Sequence, residues 1–248
     1  NVAALNAAQV VRVPAAVDLP ALAAAVDMLT RQHPILRATY HLDERGEPYQ
    51  RINEHVPRDH TVTDARGWSE AELDAAVARE TTRPFNLETG PVMRLSVFRR
   101  GDADYLGVFA FHHIAIDLWS IGLLTYELGA CYRAALTGEP PALRPEARDY
   151  ASFAREQIAC AEGDKGAADW AYWSEKLGGP LPPLDLPLDH PRPAVQTYDG
   201  AAEVLRLDAE LTAAVRQLAE SRGASLYDAD LAACQALLGR YARQDDIL

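Results

Sequence analysis

The chain has 248 residues and a formal net charge of −12 at pH 7, which argues against general electrostatic binding to nucleic acid or to an anionic membrane. Its three cysteines, Cys131, Cys160 and Cys234, stand far apart, which argues against a disulfide framework or a cysteine-based zinc site and favours a reducing compartment. No apolar run is long enough for a membrane span and no signal-peptide pattern opens the sequence, so we expect a cytoplasmic protein.

The first half of the sequence predicts short strands interspersed with helices. Asp18 and Pro20 mark the start of an amphipathic helix, and Ser69 with Glu72 predicts a capping box for a second helix that ends near Glu80. The polar residues 53–67 are expected to be irregular. Strands are predicted over residues 9–13, 35–42, 49–52, 92–99 and 104–112.

The second half predicts mostly helix, interrupted by two proline-rich segments. A long helix is expected from Leu118 to a stop at Gly138, followed by a linker over residues 139–145. Further helices are predicted over residues 150–161, 167–177, 209–222 and 225–241, with a strand over residues 202–207. Because proline lacks a backbone donor, residues 179–193 cannot form regular structure, and we place a domain boundary there. The predicted division is a first subdomain over residues 1–178, a linker over 179–198 and an incomplete second subdomain over 199–248.

Residues 105–120 join an apolar strand to a dense group of titratable side chains. Alternate residues of a strand face opposite ways, so His112 and His113 cannot do the same job. An imidazole has an unperturbed pKa of about 6.5 and can accept a proton near neutral pH. The segment therefore predicts a site that handles protons.

Two other interpretations of this group are open. In one, Asp117 only caps the following helix, a contribution of about 1 kcal/mol, and the histidines fill ordinary strand-end positions. In the other, His113 and Asp117 hold a metal ion, but no third ligand is evident and no helix spans the residues between them. We predict no metal site.

Residues 112–120 resemble the His-His-x-x-x-Asp-Gly motif of the condensation domains of nonribosomal peptide synthetases. Residues 31–40 resemble the family's Arg-His-x-x-Leu-Arg-Thr-x-Phe segment, and residues 83–94 resemble Pro-Phe-Asp-Leu followed by Gly-Pro-Leu-x-Arg. Residues 150–157 resemble Tyr-x-Asp-Phe-Ala-x-Trp-Gln, so four motifs occur in the family's order. The resemblance implies an α/β fold of the chloramphenicol-acetyltransferase type, a mostly antiparallel sheet with helices on it in a two-layer sandwich.

The same resemblance implies an activity, which is amide synthesis between an acyl or peptidyl thioester and an aminoacyl thioester. Donor and acceptor peptidyl carrier proteins would bring these substrates on phosphopantetheine arms, next to adenylation or polyketide synthase modules, and the domain itself would bind no cofactor. His113 matches the catalytic histidine, whereas His112, Asp117 and Arg37 match motif residues with a structural role. Because the family's aspartate pairs with this arginine, we expect Asp117→Ala or Arg37→Ala to damage folding as much as rate.

The sequence departs from the family pattern at Leu118, which replaces the glycine of the motif. We expect Leu118 to narrow or reshape the substrate tunnel, so that the domain takes an unusual acyl donor. Its neighbours Trp119 and Ser120 are further candidates for the tunnel lining. The family's N-terminal helix would precede Asn1 and most of its C-terminal half would follow Leu248. We therefore expect little or no activity from this piece alone.

Other members of the same fold share the His-His motif and stay open as alternatives. They are an epimerisation domain, an ester-forming condensation domain and a stand-alone acyltransferase. A further alternative is a non-catalytic domain that keeps the fold and recruits a partner enzyme. The intact His113 and Asp117 argue against recruitment, while Leu118 leaves it open.

Overall fold

The structure of the chain is a computed structural model that describes residues 2–143, 149–198 and 200–247. It divides into two compact units, over residues 1–158 and 159–248. The predicted linker over residues 139–145 lies partly outside the described residues.

The first unit is built on a four-stranded sheet with the strand order β1-β6-β5-β4. Strand β6 is antiparallel to β1 on one side and to β5 on the other, while β4 runs parallel to β5. Strands β2 and β3 form a separate antiparallel hairpin. The strands are β1 (Asn6–Val13), β2 (Ala38–Leu42), β3 (Pro48–Ile52), β4 (His60–Asp64), β5 (Met93–Gly101) and β6 (Asp104–His112).

The described residues contain seven α-helices, which begin and end largely where the local sequence signals predict. The Asp18 side chain accepts a hydrogen bond from the Ala21 N–H at the start of α1, and the capping box of Ser69 and Glu72 is present at the start of α2. Gly138 ends α3 in the left-handed conformation, with φ of 76°. The helices are α1 (Leu19–Gln32), α2 (Glu70–Thr82), α3 (Leu118–Thr137), α4 (Tyr150–Glu162), α5 (Asp164–Lys176), α6 (Ala209–Ser221) and α7 (Leu226–Ala242).

Both faces of the four-stranded sheet are covered by helix. Phe109 and Phe111 of β6 pack with residues of α1 and α3 on one face. Val108 of the same strand packs with residues of α2 on the other face, as the alternation of a strand requires. The predicted mixed α/β class is confirmed, and β6 lies between two packed layers.

A buried polar pair also joins α1 to α3. The Nε2 atom of His33, which follows the last residue of α1, lies 2.5 Å from Oε2 of Glu127 in α3, and Glu127 is 3% exposed. Burying a carboxylate is unfavourable unless it is paired and hydrogen-bonded. This contact therefore adds a polar link to the apolar packing between α1 and α3.

Two strand predictions and one prediction of irregular structure need correction. Residues 34–37 form a short 3₁₀ helix and the strand begins at Ala38, because the fixed φ of Pro34 suits a helical turn that buries Leu36. Residues 60–64, expected to be irregular, form β4, which is stabilised by parallel pairing with β5. Residues 202–207 form no strand and are exposed, since the described part of the second unit offers no strand for them to pair with.

In the second unit, α6 packs against α7, and the proline-rich segment has no helix or strand, as predicted. Gln244, just after α7, is hydrogen-bonded to this segment. Its Oε1 accepts from the Asp185 N–H and its Nε2 donates to the Pro183 carbonyl, both at 3.0 Å. The subdomain boundaries at residues 178 and 198 stay predictions.

Candidate active site

The two histidines of the motif lie at the end of the central strand β6. The backbone N–H of His112 donates to the Val92 carbonyl at 3.0 Å, and the N–H of His113 donates to the Leu5 carbonyl at 2.8 Å. These bonds tie consecutive residues to segments on opposite sides of β6. The position of the His-His pair is therefore fixed by the sheet itself.

His112 is a buried, neutral side chain. It is 5% exposed, and its Nδ1 accepts a hydrogen bond of 3.1 Å from the N–H of Ile114. Burial, followed by the neighbouring His113, lowers the pKa of His112 below its usual value. The bond to Nδ1 places the ring proton on Nε2, so His112 is not available to a substrate as a base.

His113 is exposed and stands in the turn that follows β6. The prediction that the two histidines have different roles is thus supported by their environments. Of the two, only His113 can meet a substrate that arrives from solvent. Its assignment as the catalytic histidine stays a prediction.

Asp117 acts as the N-cap of α3 in this structure. Its Oδ1 accepts hydrogen bonds from the Ser120 N–H at 2.7 Å and the Ser120 hydroxyl at 2.6 Å, and these bonds lower the pKa of Asp117. This is the arrangement of the capping interpretation. Ser120, a candidate for the tunnel lining, is occupied by this contact.

The expected pair between Asp117 and Arg37 is not formed. Arg37 lies in the 3₁₀ helix after α1, and its Nε donates to the Thr30 carbonyl at 3.2 Å and its Nη1 to the Asn53 carbonyl at 2.6 Å. The guanidinium thus links the last turn of α1 to Asn53, the residue after β3. Arg37 has a structural role, but one that it carries out with backbone carbonyls.

The other two tunnel candidates stand in the first turn of α3. Leu118 is 84% exposed and Trp119 is 86% exposed. Both line an open recess of about 400 Å³, together with Gly122, Leu123, Tyr126 and Glu127. The recess is a largely apolar surface next to the turn that carries His113, and its part in a tunnel stays a prediction.

Two residues behind His112, Phe85 and Arg94, lie within the segment 83–94 that resembles a family motif, and the resemblance implies no role for them. The Phe85 ring meets the His112 ring edge to face, with centroids 6.3 Å apart and an interplanar angle of 89°. The guanidinium carbon of Arg94 lies 4.4 Å from the Phe85 centroid, and Arg94 is 1% exposed. A charged residue inside the apolar strand sequence 92–98 is the signal that could have drawn attention to this group.

No group of three or more His, Cys, Asp or Glu side chains within residues 2–143, 149–198 and 200–247 is arranged to hold a metal ion. In the same described ranges, no helix is both long and apolar enough to cross a membrane.

Comparison with known proteins identifies relatives along the whole chain. A family model described as the condensation domain matches residues 2–248. One subunit of the linear gramicidin synthase of Brevibacillus parabrevis is 38% identical over 247 residues, which is 98% of this chain and 5% of that protein. The chain therefore spans a small part of the curated relative that it matches.

Solved structures agree with this comparison. A holo four-domain nonribosomal peptide synthetase, AB3403, described with bound AMP and glycine, matches with a TM-score of 0.83 and 25% identity over 97% of this chain and 18% of that one. The X-domain from teicoplanin biosynthesis, described in a complex with OxyB, matches with a TM-score of 0.80 and 28% identity over 96% of this chain and 52% of that one.

Proposed function

This chain belongs to the condensation-domain family of nonribosomal peptide synthetases, and we propose that its domain forms an amide bond between a donor acyl or peptidyl thioester and an acceptor aminoacyl thioester. The observation that carries this proposal is the exposed imidazole of His113 at the end of the central strand, within the His-His-x-x-x-Asp motif. His112, by contrast, is buried and neutral behind it.

The proposed chemistry needs one proton acceptor near the amine. A free α-amino group has a pKa of about 8, so it must lose a proton before or during attack. The amine nitrogen attacks the thioester carbonyl carbon, the carbon–sulfur bond breaks, and the thiol of the donor arm leaves with a proton. His113 takes the proton from the amine or holds the amine in line, and either role requires an imidazole within hydrogen-bond reach.

The proposed partners are a donor and an acceptor carrier protein, each with a phosphopantetheine arm, and neighbouring adenylation or polyketide synthase modules. The domain itself binds no cofactor in this proposal, acts in the cytoplasm and meets neither nucleic acid nor membrane. Because carrier proteins are commonly acidic and this chain has a charge of −12, docking needs a local basic patch. Alanine substitutions at exposed arginines should therefore weaken docking, and less so at high salt.

The test uses the complete domain that contains this chain. A donor carrier loaded with an acyl group and an acceptor carrier loaded with an amino acid are mixed with the domain, and the acceptor-bound product is weighed by mass spectrometry. A mass equal to acyl plus aminoacyl supports condensation. Replacing the amine acceptor with a hydroxy acid tests ester formation, and chiral analysis of the recovered residue tests epimerisation.

A recruitment domain is the second candidate function. Two observations favour it, namely Leu118 in place of the motif glycine and the likeness to an X-domain described in complex with OxyB. If a broad panel of loaded carriers gives no product but the domain still binds a carrier or another synthetase enzyme, recruitment replaces condensation as the assignment.

A further inference from the structure

Arg94, Phe85 and His112 form a continuous stack behind the motif. The guanidinium carbon of Arg94 is 4.4 Å from the Phe85 centroid, within the range of a cation–π contact. The Phe85 ring then meets His112 edge to face at 6.3 Å. All three residues are at most 6% exposed, so the stack has little room to rearrange.

Arg94 anchors the stack to the end of α2. Its Nη2 donates to the carbonyls of Glu80 at 2.7 Å and Arg83 at 2.9 Å, which are carbonyl groups at the C-terminal end of a helix. Carboxylate oxygens of Glu80 and Asp59 lie 3.4 Å and 3.8 Å from the guanidinium nitrogens and offset its buried charge. Phe85 is therefore held between a fixed guanidinium and His112.

His112 in turn shapes the segment that presents His113. Its Nδ1 accepts from the Ile114 N–H at 3.1 Å, and its carbonyl accepts from the Ala115 N–H at 3.1 Å. Both bonds span His113, because the acceptor residue His112 precedes it and the donor residues Ile114 and Ala115 follow it. A His112 ring that rotated, or that carried its proton on Nδ1, would release the Ile114 N–H and remove one of the two hydrogen bonds of the turn.

We propose that Arg94, Phe85 and His112 are positioning residues that hold the His113 turn, and that His112 does so as the neutral tautomer with its proton on Nε2. This inference rests on the proposed function only for its kinetic readout. The stack itself touches no substrate. Its effect on the reaction is transmitted through the backbone of residues 112–115.

The kinetic test compares Phe85→Leu with Phe98→Leu in the complete domain. Phe98 is buried at 4% exposure on the same strand as Arg94 but belongs to a different cluster, so it controls for the loss of a buried ring. Phe85→Leu should lower kcat by about tenfold or more with KM for either carrier unchanged, because a small misplacement of a reacting group has a large effect on rate. Phe98→Leu should lower the melting temperature similarly and leave kcat within about twofold. Phe85→Tyr, which keeps the ring, should restore kcat.

The structural test does not depend on activity. In the wild-type domain labelled with ¹⁵N-histidine, the ¹⁵N chemical shifts of the His112 ring should report an unprotonated Nδ1 and a protonated Nε2. Phe85→Leu should change these chemical shifts, whereas Phe98→Leu should not. A protonated Nδ1 in the wild type, or equal kcat losses in the two leucine variants, would overturn the proposal. An inactive wild type with the expected shifts would overturn the proposed function instead, leaving the positioning of the turn intact.

Discussion

His112 and His113 are adjacent in sequence but opposite in environment: His112 is 5% exposed and bonded to Ile114, whereas His113 is exposed at the start of the turn. The sheet imposes this difference, because β6 is paired on both sides and both of its faces are packed. His112 is hydrogen-bonded to the backbone of the turn, whereas the side chain of His113 is open to solvent. The first two predictions follow from this contrast.

Alanine substitutions should separate the two histidines by stability. His112→Ala leaves the Ile114 N–H without its partner and should lower the free energy of unfolding by about 1–3 kcal/mol. His113→Ala changes an exposed side chain and should stay within about 0.5 kcal/mol of the wild type. Urea denaturation of the complete domain measures the free energy of unfolding of each variant. Equal losses in the two variants would show that the different burial of the two histidines does not affect stability.

The stability of the domain should depend on pH through His112. Its pKa is lowered in the folded state by burial, whereas the unfolded value is about 6.5. As the pH falls below 6.5 the unfolded chain gains a proton that the folded chain does not, so stability decreases until the lowered folded pKa is reached. The stability advantage of the wild type over His112→Gln should therefore shrink on acidification from pH 7.5 to pH 5.5. An advantage that is constant or grows would contradict this.

Arg37 and Asp117 should behave as independent residues. Their side chains bond to different partners, so a double-mutant cycle of Arg37→Ala and Asp117→Ala should give a coupling energy below about 0.5 kcal/mol. Asp117→Ala alone should lose about 1 kcal/mol, the worth of a helix N-cap. Breaking a buried pair costs about 3–5 kcal/mol of unfolding free energy. A coupling energy of that size would contradict this prediction and support the Arg37–Asp117 pair that the family resemblance implies.

The pair of His33 and Glu127 should matter to folding. Glu127→Ala removes one partner of a buried pair whose side chains are 4% and 13% exposed, and should lower the free energy of unfolding by about 1–3 kcal/mol. Glu127→Gln keeps an acceptor for His33 and should lose less. Glu139→Ala, on the exposed segment after α3, is the control and should have little effect. Similar losses for Glu127→Ala and Glu139→Ala would disprove the role of the pair.

Leu118 should affect the choice of donor. The side chain is 84% exposed in the first turn of α3, so Leu118→Gly should change folding by no more than about 1 kcal/mol. We expect the variant to accept bulkier donor acyl groups, measured as the ratio of kcat/KM for long and short acyl chains. Leu136→Ala, in the last turn of the same helix and 54% exposed, is the control. An unchanged ratio would remove Leu118 from the tunnel lining.

Local signals in the sequence were sufficient to predict helix ends, because a helix end is determined by the few residues around it. The caps of Asp18 and Ser69 and the stop at Gly138 place α1, α2 and α3 because each signal acts within a few residues. Strand β4 could not be predicted, because its residues are only partly buried and its pairing with β5 bridges a distant part of the chain. Residues 202–207 were predicted to be a strand but form none, because the described part of the second unit contains no strand with which they could pair.

The site shows the same limit. Strand alternation predicted opposite environments for His112 and His113, but the structure separates them differently, because β6 ends at His112 and His113 stands in the turn that follows. The bonding of Arg37 to two carbonyls and the stack of Phe85 on His112 depend on how distant segments meet, which sequence spacing does not encode. The buried Arg94 was visible in the sequence as a charge in an apolar strand and as the last residue of the Gly-Pro-Leu-x-Arg match, but neither feature predicts its contact with Phe85.

The most direct test of the central claim is the single-turnover rate of amide formation by the complete domain and by its His113→Ala variant. Donor and acceptor carriers are loaded and saturating, and the product on the acceptor carrier is followed by intact mass. If His113 is the catalytic histidine, the variant should be at least about 100-fold slower, the contribution typical of a positioned acid or base, with unchanged folding. A variant that forms the same product at the wild-type rate would contradict the account.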